Sequence, residues 1–232
     1  MKALVLESKG TPFVYKDVKD PVLNENEAVA KIIACGSGLT IQHVRAGRIK
    51  VDYPRIIGHE ITAVIEEVGK NVTNVSVGDA VTAYFYLTCG HCKWCNNNRE
   101  TLCENFGGYV GREIDGAYAE YMKLPAENFL KIPEALDWKK NPAEIAVICD
   151  AIATPFKVIR HASIKTQDTV AIIGAGGGLG IHMIMMAKWA NSTVIAVDIA
   201  SDKFAACKQV GADICINPRD HNDNQAFYDY TK

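Results

Sequence analysis

Apolar and polar positions change rhythm twice along the 232-residue chain. Up to about residue 135, short β-rich runs at 28–33, 61–68, 80–86 and 117–123 alternate with turn residues, the signature of strands packed on one face. The opening Met1-Lys2-Ala3-Leu4-Val5-Leu6-Glu7 reads as a first strand. Breaks such as Val77-Gly78-Asp79 and Glu67-Val68-Gly69-Lys70 use glycine to let the backbone turn. This half predicts an irregular β-barrel. Across 143–162 the apolar spacing becomes helical, with Pro142 at a first helical position and Pro155 expected to kink or break the helix. From residue 169 the pattern is strand (169–173), glycine turn, helix (179–190), strand (193–197), helix (201–210) and strand (214–216). That alternation predicts a parallel sheet with crossover helices. A last helical pattern at 224–231 runs up to Lys232, and neither internal repeats nor low-complexity tracts occur.

Composition narrows the classes. With 48% hydrophobic and 22% charged residues the chain is an ordinary globular protein, long enough for two domains. Lys and Arg total 25 against 27 Asp and Glu. There is thus no basic surplus to displace counterions from a nucleic acid, and no nucleic-acid partner is expected. The first residues are too short and too acidic for a signal-peptide core. The longest apolar-looking run, 170–187, carries His182 and five glycines and fits a tight loop better than a bilayer helix. The expectation is a cytoplasmic protein with no membrane span. Four of the eight cysteines fall between Cys89 and Cys103, a clustering that favours metal over disulfides in a reducing compartment.

The cluster reads Cys89-x2-Cys92-x2-Cys95-x7-Cys103. A loop of that length can wrap four thiolates tetrahedrally around Zn²⁺ at about 2.3 Å. A ferredoxin-type cluster shares the opening spacing but then has three residues before a Cys-Pro pair, where this chain has seven and Glu104. Four thiolates close the coordination sphere, so this zinc would be structural. Further on, strand 169–173 enters Gly174-Ala175-Gly176-Gly177-Gly178-Leu179-Gly180 and then an apolar helix. Glycines at Gly174, Gly176, Gly177, Gly178 and Gly180 let the backbone approach a pyrophosphate at a helix amino terminus, with Leu179 among them. Asp198, eighteen residues after Gly180, stands where an acid would meet the ribose hydroxyls of NAD. The alternative for Asp198 is a helix cap.

A dispersed set completes the picture: Cys35 in Ala34-Cys35-Gly36-Ser37, His59-Glu60 after Gly58, and Cys149-Asp150 before Ala151-Ile152-Ala153-Thr154-Pro155. In this order, with the cysteine lobe and the glycine turn, the chain resembles the zinc-dependent medium-chain alcohol dehydrogenases (medium-chain dehydrogenase/reductase superfamily) over its whole length. The resemblance implies a GroES-like catalytic domain at 1–151, holding the zinc lobe at 89–103. It also implies the amino-terminal half of a Rossmann NAD-binding domain at 152–232. It further implies two zincs per chain. One would be catalytic, held by Cys35, His59 and a third ligand, with Glu60 as an alternate or neighbouring ligand. In the family a threonine beside the nicotinamide lies four residues after the third ligand; Thr154 matches Asp150 and not Cys149.

The implied activity is oxidation of an alcohol to an aldehyde or ketone, or its reverse, with hydride passing between the small-molecule substrate and NAD. Ser37 matches the hydroxyl that passes the alcohol proton outward, its alternative being a capping loop serine. Phe85 matches a pocket aromatic, or is simply buried in a strand. Lys203 matches a lysine at the adenosine ribose, or is a solvated helix lysine. Two positions depart from the pattern: Gly38 replaces an aspartate that orients the zinc histidine, and Thr40 replaces a relay histidine, with His43 three residues on. Competing readings are a zinc-free quinone or enoyl reductase, opposed by Cys35, His59 and the cysteine lobe, and a non-catalytic metal-binding or interaction fragment. The resemblance implies a homo-oligomer, dimer or tetramer, and roughly another hundred residues beyond Lys232.

Overall fold

The computed structural model describes residues 1–220, so the helical pattern at 224–231 lies outside the described residues. The chain divides between Cys149 and Asp150 into two compact units.

The first unit is built from antiparallel sheets. Strands β1 (Lys2–Leu6), β2 (Phe13–Asp17) and β4 (Arg55–Ile56) form one sheet in the order β2-β1-β4. Strands β3 (Glu27–Cys35), β5 (Ile61–Val68), β6 (Ala80–Ala83), β9 (Tyr121–Pro125) and β10 (Phe129–Lys131) form a second in the order β10-β6-β5-β3-β9. The short pair β7 (Tyr86–Leu87) and β8 (Gly108–Tyr109) stands at the base of the cysteine loop. Inward positions of the five-stranded sheet, including Ile61, Ile65, Val81, Leu124 and Phe129, make the main core. Each such side chain contributes roughly 1.5–3 kcal/mol on burial. Two helices, α1 (Leu39–Arg45) and α2 (Pro142–Ala146), complete this unit.

Two expectations shift here. The apolar run 80–86 is two strands, because at Tyr84 the backbone leaves β6 and its N–H turns to the Asn128 carbonyl. The run 117–123 enters β9 only at Tyr121. Before that, the N–H groups of Ala117 and Tyr118 bond to the carbonyls of Gly58 and Ile57, tying this segment to a turn of the candidate site.

The second unit opens with α3 (Ala153–His161) and continues as β11 (Thr169–Ile173), α4 (Gly178–Trp189), β12 (Thr193–Val197), α5 (Phe204–Gln209) and β13 (Ile214–Ile216). The three strands pair in parallel in the order β11-β12-β13, as the alternation predicted. Ile172, Ile184, Ala187 and Val194 lock α4 onto the sheet. Pro155 neither kinks nor breaks a helix. It is buried in the first turn of α3, where a missing N–H costs nothing, and the interruption falls earlier, between Cys149 and Ala153.

Candidate active site

The β3–β5 ladder brings two distant motifs together. Cys35, the last residue of β3, pairs with Ile61, the first of β5, and the Gly36 N–H donates to the Glu60 carbonyl at 2.7 Å. His59 and Glu60 are buried, at 9% and 4% exposure. The close approach depends on two glycines. A Cβ at Gly36 would collide with the Glu60 carboxylate. At Gly58, which has φ +100°, a Cβ would sit 2.8 Å from the Cys35 Sγ and 2.7 Å from the Tyr118 ring. The Phe85 ring packs on the His59 imidazole at 4.7 Å between centroids. It leads into an aromatic row through Tyr86, Tyr109 and Phe106 toward the cysteine loop.

Burial first, then the Glu60 carboxylate and Cys149, push the Cys35 thiol up to about 12. A thiolate at this position therefore calls for a cation beside it, and a soft thiolate with an imidazole and a carboxylate is a donor set that suits zinc. Cys149 is occupied differently: its Sγ lies 3.5 Å from the carbonyls of both His59 and Ala146, which share its one hydrogen. In the second unit the Thr154 hydroxyl donates to the Asp150 carboxylate at 2.9 Å, and the Thr154 N–H bonds to the Asp150 carbonyl.

The cysteine loop passes a direct geometric test. Four Sγ atoms bound to one zinc at about 2.3 Å would lie about 3.8 Å apart. Here Cys92 and Cys95 are 3.5 Å apart, Cys89 and Cys95 are 4.0 Å apart, and the four sulfurs all lie within 4.8 Å of one another. Among the described residues no other group of three or more metal-ligating side chains gathers this closely. The backbone N–H of Cys89 points to the Cys103 sulfur, and that of Cys92 to the Cys89 sulfur. The backbone N–H groups of His91 and Cys92 are the main donors that pull Cys89 down to about 6, favouring the thiolate a metal needs. None of the eight cysteines is in a disulfide.

The glycine turn lies between β11 and α4. Gly174 has φ +74°, and Gly177 precedes the first residue of the helix, Gly178. The glycines differ in what surrounds them. A Cβ at Gly180 would strike the Gly174 carbonyl and lie 2.7 Å from the Ala175 Cα, whereas at Gly178 it would meet open space. Leu179 is partly exposed beside them. Gly176 lies under the Lys203 stem, and its N–H donates to the Asp198 carboxylate at 2.8 Å. The Ala200 N–H takes the other carboxylate oxygen at 2.9 Å. These two N–H groups, Ala200 first, hold the Asp198 carboxyl below the usual carboxylate range.

Comparison with known proteins agrees with this architecture. Residues 24–134 match the alcohol dehydrogenase GroES-like domain, and residues 178–232 match the zinc-binding dehydrogenase domain. An alcohol dehydrogenase of Geobacillus stearothermophilus is 39% identical over 226 residues, covering 96% of this chain and 65% of that protein. A second alcohol dehydrogenase of the same organism is also 39% identical, over 99% of this chain and 67% of its own length. The chain belongs to the zinc-dependent medium-chain alcohol dehydrogenase family. It spans about two thirds of the length of these family members. A solved family structure, the cobalt- and zinc-bound thermostable alcohol dehydrogenase from Pyrobaculum aerophilum, superposes with a TM-score of 0.86 at 30% identity, over 94% of this chain and 66% of that one.

Within this family the two departures now have a structural setting. Gly38 caps α1 without a side chain, and Thr40 lies in the first turn of that helix. His43, on the same helix, accepts a hydrogen bond at Nδ1 from Arg48 Nε at 2.7 Å and is thereby engaged locally. Ser37 is exposed two residues past the end of β3, and at the neighbouring Gly36 stands Tyr118, which no motif marked. The Tyr118 hydroxyl donates to the Gly36 carbonyl at 3.3 Å, an approach across 82 residues that no local pattern encodes.

Proposed function

We propose that this chain supplies the catalytic zinc site and the NAD-binding turn of an alcohol dehydrogenase. The observation that carries the reading is the convergence of half-buried Cys35 with buried His59 and Glu60 at one end of the β3–β5 ladder. Cys35, His59 and Asp150 would hold the catalytic zinc, with Glu60 as the alternate carboxylate. Cys89, Cys92, Cys95 and Cys103 would hold the structural one. When bound, zinc supplies a Lewis acid that lowers the pKa of an alcohol hydroxyl, and NAD supplies the hydride acceptor.

The protein's own groups do the rest. Ser37 would pass the alcohol proton outward, giving up its own hydrogen as it accepts, and Phe85 walls the substrate side of His59. Thr40, on the first turn of α1, stands where the family pattern has a relay histidine. The open backbone of Gly177 and Gly178, with the amino terminus of α4, receives the pyrophosphate, while Gly174, Gly176 and Gly180 set the shape of the turn. Asp198 accepts from the adenosine ribose, with Lys203 next to it, and Thr154 packs at the nicotinamide. The engagement of the Cys149 thiol with two carbonyls supports Asp150 as the third ligand. The reading carries with it a small alcohol or carbonyl substrate, a homo-oligomeric assembly and a cytoplasmic setting; no helix among the described residues is long and apolar enough to cross a membrane.

The test is NADH formation by the full-length protein with a panel of primary and secondary alcohols, before and after treatment with a chelator. Turnover that disappears with the metal and returns with added zinc is expected. Full activity without zinc, or no oxidation of any alcohol by the zinc-loaded protein, overturns the reading.

A further inference from the structure

We infer that Asn217 is the positioning residue for the adenosine end of the cofactor site, its amide holding the 199–201 loop in place so that Asp198 meets the ribose in a fixed orientation. The inference rests on the NAD-binding reading and adds a residue to it.

The sheet stops holding the chain at Asp198. Strands β12 and β13 pair in parallel up to Val197 and Ile216, and the Asp198 N–H donates to the Ile216 carbonyl at 3.1 Å. Beyond that bond, residues 199–201 leave the sheet toward α5, with Ile199 and Ser201 exposed. This loop carries the Ala200 N–H that donates to one Asp198 carboxylate oxygen at 2.9 Å, while the Gly176 N–H of the glycine turn donates to the other at 2.8 Å. Two separate segments therefore aim the carboxylate, and one of them is a loop that the ladder no longer supports.

Asn217 supplies the missing support from the end of β13. Its Nδ2 donates to Ser201 Oγ at 2.7 Å and to the Ile199 carbonyl at 3.4 Å, one residue to each side of Ala200. Its Oδ1 accepts from the Arg219 N–H at 3.0 Å. That bond settles which end of the amide faces the loop: only the oxygen can meet an N–H, so both amide hydrogens point at residues 199 and 201, where each finds an acceptor. The Asn217 carbonyl accepts from the Asp220 N–H at 3.1 Å, so the residue is fixed through its backbone as well.

What Asn217 holds is a surface loop and not the core. The apolar contacts of the sheet, through Val194, Ala196, Val197 and Ile216, are complete without it. Its loss should therefore blur the aim of Asp198 while leaving the sheet intact. A 2′-phosphate gains nothing from that aim, since it meets the carboxylate as a like charge.

The test uses the full-length protein and reads dissociation constants from NADH and NADPH fluorescence for the wild type, N217A, S201A, D198A and D198A/N217A. N217A is expected to weaken NADH about fivefold, the equivalent of one neutral hydrogen bond. NADPH should change less than about twofold. The KM for NAD should rise with kcat unchanged, because the contact lies at the adenosine end and acts on binding alone. S201A removes one acceptor and leaves Asn217 bonded to Arg219, so it reads the same contact should N217A not fold; it should weaken NADH about threefold. In the D198A background N217A should add nothing, because the group it would aim is gone. An asparagine that merely stabilised the domain would lower the thermal midpoint and weaken both cofactors by the same factor. If N217A, or S201A in its place, binds NADH within about twofold of wild type or weakens NADH and NADPH alike, the inference is overturned while the NAD-binding reading stands. The same holds if N217A costs an equal factor with and without Asp198. If the wild type binds no NADH, that reading fails and takes this one with it.

Discussion

Cys149 and Asp150 are adjacent in sequence and differ in what occupies them. The thiol is bonded to two backbone carbonyls, while one carboxylate oxygen of Asp150 receives the Thr154 hydroxyl. Asp150→Ala should therefore lose close to one zinc equivalent and all turnover, whereas Cys149→Ala should keep both metals and cost about 1 kcal/mol. Metal analysis and denaturant unfolding of the two variants check this, and the reverse pattern would assign the ligand to Cys149.

Asp198 adds a pH dependence. Its folded pKa lies below the unfolded value near 3.9, so its contribution to stability is present above that value and fades as pH falls through the folded pKa. The stability difference between wild type and Asp198→Asn should shrink on acidification below about pH 4, as read from unfolding midpoints. The same carboxylate should favour NAD over NADP, and Asp198→Gly should narrow the preference in measured dissociation constants. At this scale the sequence was informative where chemistry is local. Four cysteines within fifteen positions announce by spacing alone the sulfur cluster that the fold brings together. Tyr118 is silent, because its hydrogen bond to the Gly36 carbonyl is made across the fold.

Among the elements, the β11–turn–α4 unit separates two uses of glycine. Gly180 packs helix against turn, and a Cβ there meets backbone that cannot move aside. Gly180→Ala should cost about 1–3 kcal/mol in unfolding experiments. Gly178 faces open space at the head of the helix, so Gly178→Ala should leave stability within about 1 kcal/mol but weaken dinucleotide binding, which calorimetry would register. The parallel strands were legible because each is a continuous apolar run bounded by glycine or polar turns. The antiparallel half was less so. The break at Tyr84–Phe85 and the late start of β9 depend on hydrogen bonds to Asn128, Ile57 and Gly58, partners that periodicity does not register. Pro155 was misread because a helix interior and a first turn have the same apolar spacing, and only the position of the preceding break tells them apart.

For the molecule as a whole, the proposed reading has two zinc sites of different construction, which should differ in lability. A chelator should strip about one equivalent quickly with turnover and leave the fold intact, the second equivalent appearing only on denaturation. Two equivalents leaving together under native conditions would contradict this. The β3–β5 register adds a consequence of timing. Cys35 and His59 come side by side only once Cys35 is opposite Ile61, so these donors do not meet until a long-range ladder has closed. The cysteine loop needs no such pairing, since its four donors lie within fifteen residues of one another. A metal proposed for that loop could be captured during synthesis, while the chain is still emerging. On the proposed reading the catalytic zinc must wait for the sheet, so metal scarcity would leave a folded protein holding one zinc and lacking the other.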